Sequence, residues 1–351
     1  MPILLTSPHG GRRLLPIHLA LALVMPLLAS VAAPAPGRAQ GGPLGALGRL
    51  FEKPPPPPGP SAPPVPGSTP EPKFQALLRS GTIPQLNLAC KEAADFGFTT
   101  RLRLLQARLL TVAPAPQPLP VVLVNANALL TCRAPETALT VLDRYSPAPG
   151  PGRSQWLVLR WRAAQAGLRH RLAAETLEQL AAGNPAGLEL VALPLQLRQD
   201  GTLATRPALD AYADHLEVLG RRQEAAAALL TGAIPGQLAA ERLQRAVALL
   251  DQMSLEERDP LLERALDQAA AAQSWGLALA LLNDQRRLYA QAGIPADRAN
   301  ARLQRLSQRV DDAYSEWQLR RQDPQQAART AQLQEQLRSP RAPGGHATSP
   351  P

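Results

Sequence analysis

Aromatic side chains make up only 3% of this 351-residue chain, and lysine is confined to Lys53, Lys73 and Lys91. With so few aromatics the core has to be assembled from Leu, Ala and Val. That suits closely packed helices better than a β-sandwich of aromatic and β-branched strands. The scarcity of lysine beside abundant Arg, Ala, Pro and Gly reads as GC-rich coding in a bacterial host. The formal charge of +9 comes from 37 basic and 28 acidic residues, and no basic cluster is interleaved with aromatics. Such a mixed surface leaves a weak phosphate footprint, so no nucleic-acid partner is expected.

Catalytic signatures are missing as well. There is no His-x-x-x-His pair, no Gly-x-Ser-x-Gly elbow and no glycine-rich phosphate loop. Two cysteines without nearby histidines cannot complete a tetrahedral metal set. No catalytic residue, cofactor or metal is therefore expected, and His170 and His215 read as helix caps or surface decoration. The neighbouring carboxylates Glu256-Glu257 and Asp311-Asp312 point to different helix faces and read as solvated surface.

What the N-terminus does contain is an export signal. Arg12 and Arg13 precede an apolar stretch from Leu14 to Ala33 that is interrupted by Pro16, His18 and Pro26. Ala33-Pro34-Ala35 and Gly37-Arg38-Ala39 both satisfy the small-x-small requirement of a signal peptidase, and cleavage after Ala39 would leave Gln40 as the mature end. The alternative is an uncleaved membrane anchor, since twenty helical residues span about 30 Å. The expected location is the periplasm, or a thylakoid lumen if the host is photosynthetic, with no stable membrane insertion once the signal is removed.

Residues 1–39 thus read as a signal peptide and 40–72 as a glycine- and proline-rich linker, with eleven prolines between Pro54 and Pro72. Proline fixes φ and removes a backbone donor, so this segment is expected to exclude helix and sheet and to extend as polyproline II over roughly 60 Å. Its role is a semi-rigid spacer, a docking ligand for an aromatic groove, or low-complexity filler. A Pro/Gly/Ser-rich tail, 339–351, is expected to be disordered.

Between Lys73 and Arg338 apolar residues recur every three or four positions, breaks fall at Gly and Pro, and strand signals are absent. Helices are expected near 84–96, 99–112, 119–132, 135–145, 154–167, 169–182, 186–199, 206–219, 221–232, 236–253, 255–273, 275–292, 296–321 and 325–338. Ser254 with Glu257 forms a capping box, Gly220 and Gly293 suit left-handed C-caps, and short connections imply antiparallel hairpins. The last long helix carries Leu303, Leu306, Val310, Ala313 and Trp317 on a narrow stripe. That stripe fits either a helix capping the array or a homodimer contact through 296–321.

Two hairpins share a spacing. Ala126, Ala138 and Leu142 stand at intervals of twelve and four, and Ala213, Ala225 and Leu229 repeat them, with Gly220 between the helices. This resembles the tetratricopeptide repeat, in which small residues let two helices cross closely and a large one fills the gap. Leu129 and Leu216 also fall on expected types, whereas Arg133 occupies the turn position that prefers glycine. The fold class this implies is all-α, with antiparallel helix hairpins stacked as an irregular tetratricopeptide-like α-solenoid. The resemblance also implies ligand binding on the face lined by the first helix of each hairpin. Carried over by register, that face includes Asn127, Arg162, Asp210, Asp214 and Glu217. The last three, at i, i+4 and i+7, form an acidic stripe that is either a groove for a basic partner or solvated surface.

In an exported protein the pair Cys90 and Cys132 reads first as a disulfide, on neighbouring helices of successive hairpins; two separate buried thiols are the alternative. The function expected from these features is an exported, non-enzymatic scaffold that binds a protein or peptide partner. The alternatives are a structural module of a larger envelope or lumenal assembly, and an enzyme of unrecognised type.

Overall fold

The computed structural model describes residues 66–113, 116–197, 200–321 and 323–338. The expected signal peptide, the expected linker up to residue 65 and the expected tail after Arg338 lie outside the described residues. The described chain is all-α apart from one small β-hairpin. A first helix, α1 (Glu71–Ser80), is followed by four helix pairs: α2 (Ile83–Asp95) with α3 (Thr99–Thr111), α4 (Leu119–Thr131) with α5 (Pro135–Leu142), α6 (Pro151–Ala166) with α7 (His170–Ala181), and α8 (Ala208–Val218) with α9 (Arg222–Leu230). Then come α10 (Gln237–Leu249), α11 (Leu255–Ala271), α12 (Trp275–Gln291), α13 (Asp297–Arg309), α14 (Ala313–Arg320) and α15 (Ala327–Leu337). No helix among the described residues is long and apolar enough to cross a membrane.

One backbone device closes seven of the turns between helices. Gly97, Arg133, Leu168, Gly220, Gln273, Gly293 and Asp311 all take left-handed backbone, with φ between 54° and 75°. In each case the next residue's N–H reaches back to a carbonyl five positions earlier, as in Ala134 N to Leu129 O at 2.9 Å, Arg169 N to Ala164 O at 2.8 Å and Arg221 N to Leu216 O at 2.9 Å. This Schellman-type closure satisfies a carbonyl left over at the helix end and reverses the chain within a few residues. Gly220 and Gly293 meet the requirement at no steric cost, whereas Arg133 fills the same position against a penalty of about 1–2 kcal/mol.

Hydrophobic packing follows chain order. One buried cluster runs from Phe74 to Ala163, a second from Trp161 to Leu249, and a third from Ala240 to Leu303. The spaced alanines lie inside them, with Ala126, Ala138, Ala213 and Ala225 all 0% exposed. Each helix packs chiefly on its sequence neighbours, and α2 with α4, α4 with α6, and α10 with α12 also touch.

Three expectations need correction. The segment 186–199 is not helical: a 3-10 turn (Pro185–Leu190) leads into an antiparallel hairpin of β1 (Ala192–Leu197) and β2 (Leu203–Pro207). Leu193, Leu195 and Leu197 alternate with period two, Pro194 lacks the N–H a helix would use, and Asp200-Gly201 supplies the turn. There Asp200 Oδ1 accepts from Thr202 N at 2.9 Å, and Gly201 has φ 83°.

Second, the expected helix 296–321 is two helices. Asp311 adopts φ 56°, and the Asp312 side chain caps α14 by accepting from Ser315 N at 3.1 Å. Leu303 is buried, and Leu306 and Val310 pack against the third cluster, so this part of the proposed dimer stripe faces the protein's own core. Third, helix reaches into the linker. α1 begins at Glu71 because Pro72, in its first turn, lacks only an N–H that would have no partner there.

The left-handed turn residues make opposite predictions. Leu168 is 75% exposed, so Leu168→Gly removes little packing and relieves backbone strain. It should raise unfolding free energy by about 0.5–1 kcal/mol, whereas Gly220→Ala should lower it by about 1 kcal/mol. Urea titration of the two variants beside the wild type checks both signs; a Leu168→Gly protein less stable than wild type would mean the turn is not strained.

Candidate functional site

Cys90 on α2 and Cys132 at the end of α4 are joined in the structure, with Cα atoms 4.7 Å apart, and both are fully buried. The bridge ties the first helices of two successive hairpins. A loop of 42 residues closed this way stabilises by about 3–4 kcal/mol in the chain-entropy picture.

The acidic stripe on α8 is not a vacant acceptor surface. Asp210 is buried and accepts from Nε and Nη2 along one edge of the Arg242 guanidinium, at 2.7 Å and 2.9 Å. Arg242, on α10, also pairs with Glu189 of the 3-10 turn. Burial alone would raise the Glu189 carboxyl, but the amide N–H groups of Ala233 and Ile234 together with Arg242 hold it below the usual carboxylate range. Asp214 is paired with Arg206 of β2 and with Arg245 of α10, and Glu217 also binds Arg245, at 3.0 Å from Nε. The stripe is thus spent on ion pairs between α8, α10 and the hairpin insertion. All three acids expected to line a groove for a basic partner or to be solvated surface are instead paired with arginines of the chain itself. Sequence reading missed Arg242 and Arg245, although a charge at 242 stands out between the buried Ala240 and Leu243 on the apolar face of α10.

The structure does bring Asn127 and Arg162 together. Arg162 Nη1 on α6 donates to Asn127 Oδ1 on α4 at 3.1 Å. Among the described residues no carboxylate forms an ion pair with Arg162, and burial lowers the pKa of its guanidinium. The two residues sit in an open groove of about 640 Å³ walled by Val124, Ser154, Val158 and Pro194. Its lining is mainly apolar, and Val124 is 48% exposed. A smaller hollow of about 250 Å³, lined by Leu130, Trp161 and Leu195, shares Arg162 and Pro194 with this groove. A third cavity, about 630 Å³ between α10 and α12, is lined by several charged residues, of which Arg245 pairs with Glu217 and Arg287 with Asp284.

Behind this groove lies a second arrangement that sequence reading did not foresee. Trp161 Nε1 donates to His215 Nε2 at 3.0 Å, and the Nδ1 atoms of His215 and His170 are 3.1 Å apart. An indole N–H can only donate, so His215 Nε2 is unprotonated and its Nδ1 carries the proton shared with His170. His215 is buried, not surface decoration. Burial first, and then His170, push its pKa down to about 4, against an opposing pull from Asp214; Arg206 adds to the lowering. Three helices, α6, α7 and α8, are joined by this chain of rings.

No protein-family model matches this chain, and no curated protein matches it either.

The His215 environment sets a pH dependence of stability. Its pKa is lower folded than unfolded, so its contribution is complete above the unfolded value of about 6.5. It is lost progressively as pH falls towards about 4. Paired carboxylates such as Glu189 and Glu263, also lowered, begin to matter only below about 4.5. Unfolding free energy measured by urea titration should therefore decline between pH 6.5 and 5, and His215→Gln should flatten that decline. A wild-type profile level over this interval would show that the ring chain tolerates protonation.

Proposed function

We propose that this protein is an exported, non-enzymatic scaffold that holds a protein or peptide partner in the groove along α4 and α6. The observation that carries the reading is the groove itself: apolar walls around a half-buried arginine that no carboxylate of the described chain neutralises. Burying a guanidinium beside apolar side chains without a counter-charge is unfavourable in isolation, and a bound partner can offset it. The position supports the same reading, because α4 and α6 are the first helices of successive hairpins, the face on which the tetratricopeptide resemblance implies ligand binding. Export rests on the N-terminal Arg12-Arg13 segment, the apolar stretch after it and the small-residue sites ending at Ala39.

The partner now expected differs in sign from the one the acidic stripe suggested. Capture from envelope extracts separates the two. Three baits would be compared by quantitative mass spectrometry: wild type, a rim variant carrying Val124→Gln and Leu195→Gln, and Asp214→Asn. Val124 and Leu195 are each 48% exposed, so the rim variant should fold normally. The proteins captured by wild type should fall at least tenfold with the rim variant and stay with Asp214→Asn. The opposite pattern would move the binding surface to α8.

A further inference from the structure

We propose that the groove recognises an apolar partner segment through an internal Asp or Glu side chain whose carboxylate pairs with Arg162. This names the partner of the scaffold reading and rests on it. Three features lead there. The first is charge: Asn127 is a neutral partner and takes one of the five N–H donors of the guanidinium, which leaves enough for two parallel bonds to a carboxylate. Arg206, Arg242 and Arg245 all have carboxylates within the chain, whereas among the described residues Arg162 has none.

The second is the wall chemistry. Val124, Val158 and Pro194 on one side and Leu130, Trp161 and Leu195 on the other offer contact to aliphatic or aromatic side chains and little to a polar backbone. The third is adjacency. Arg162 and Pro194 line the trough and also a second hollow of about 250 Å³, so the arginine faces two spaces. A chain terminus seated at Arg162 would leave that second space empty. A segment running through both spaces presents a side chain, not an end group, at the arginine. Between Ser154 and Arg162 the groove is about 12 Å long at the helical rise, which accommodates three or four extended residues before the carboxylate.

The test uses the full-length mature protein and fluorescently labelled twelve-residue peptides. The N-terminus carries the dye and the C-terminus is amidated. A central Glu is flanked on both sides by varied Leu, Val, Ala and Phe. Matched peptides replace the central Glu by Gln, and a third set has central Gln with a free C-terminal carboxylate. For the tightest Glu peptide, anisotropy should show affinity about tenfold or more above its Gln counterpart, and added salt should narrow the gap. Arg162→Met should bind the Glu and Gln peptides alike, keeping the weaker apolar binding. Arg162→Glu should prefer a peptide with a central Lys, which guards against a variant that has merely lost its fold.

Equal binding of Glu and Gln peptides to wild type, with loss of both in the Val124→Gln, Leu195→Gln variant, would overturn the carboxylate proposal and leave the groove reading standing. Binding of the free-terminus Gln peptide as tight as that of the Glu peptide would assign the carboxylate to a chain end and overturn it too. Peptide binding unaffected by the rim variant would remove the groove reading itself, and so would the absence of binding by every peptide.

Discussion

Seven turns between helices of the described chain are each closed by one residue held in left-handed backbone, and the arrangement of everything else depends on those turns. The backward hydrogen bond from the following N–H ends the first helix and starts the second antiparallel to it within a few residues. Because the same closure recurs at Gly97, Arg133, Leu168 and Gly220, the first helices α2, α4 and α6 come to lie beside one another. The buried alanines at 126, 138, 213 and 225 then allow close packing. The Cys90–Cys132 bridge fastens α2 to α4. The groove lies along two of these aligned first helices, with Val124 and Asn127 of α4 and Ser154, Val158 and Arg162 of α6 in its lining.

Charge is distributed unequally along this framework, and desolvation explains what each group can do. Asp210, Glu189 and Arg242 are removed from water together, and each is satisfied by the others and by backbone amides. Separating one member of such a set leaves a buried charge at a cost of about 3–5 kcal/mol, so these groups lock α8 and α10 onto the irregular insertion and have little left to offer a ligand. Arg162 is in the reverse situation. Its desolvation is already incurred by the fold, and a neutral amide oxygen is its hydrogen-bond partner. An incoming carboxylate would gain the attraction without bearing the whole of that penalty, which is why the proposed binding surface is placed at the weakly paired arginine and not at the row of acids.

Much of the helical pattern was legible in the sequence, because a period of three to four apolar positions and terminating glycines act locally. Ser254 with Glu257 caps α11 as its spacing implies, at 2.9 Å, and Gly220 and Gly293 take the left-handed backbone their positions suggest. Errors arose where a local signal was outweighed. Leu193-Pro194-Leu195 was read at helical period although its alternation and the Asp200-Gly201 turn specify a hairpin. The break at Asp311 has neither Gly nor Pro, and aspartate tolerates left-handed backbone well enough to hide it. Helical register was sufficient to place Asn127 and Arg162 on one face, 35 residues apart. It could not show that Asp210 and Glu217 meet Arg242 and Arg245 across separations of 32 and 28 residues, nor that Trp161, His170 and His215 form one buried chain of rings. Pairings at that distance are set by how hairpins stack, which no local pattern encodes.

The account stands or falls on which surface a partner touches. Site-specific photocrosslinking in cells of the native host reads this directly, with a benzophenone side chain placed in turn at Val124, Leu195 and Val218. All three are exposed, Val218 at 62%, and only the first two border the groove or the hollow beside it. Crosslinks to a common partner from positions 124 and 195, with none from 218, are the predicted result. A partner crosslinked from 218 and not from 124 or 195 would contradict the assignment of binding to the face formed by α4 and α6.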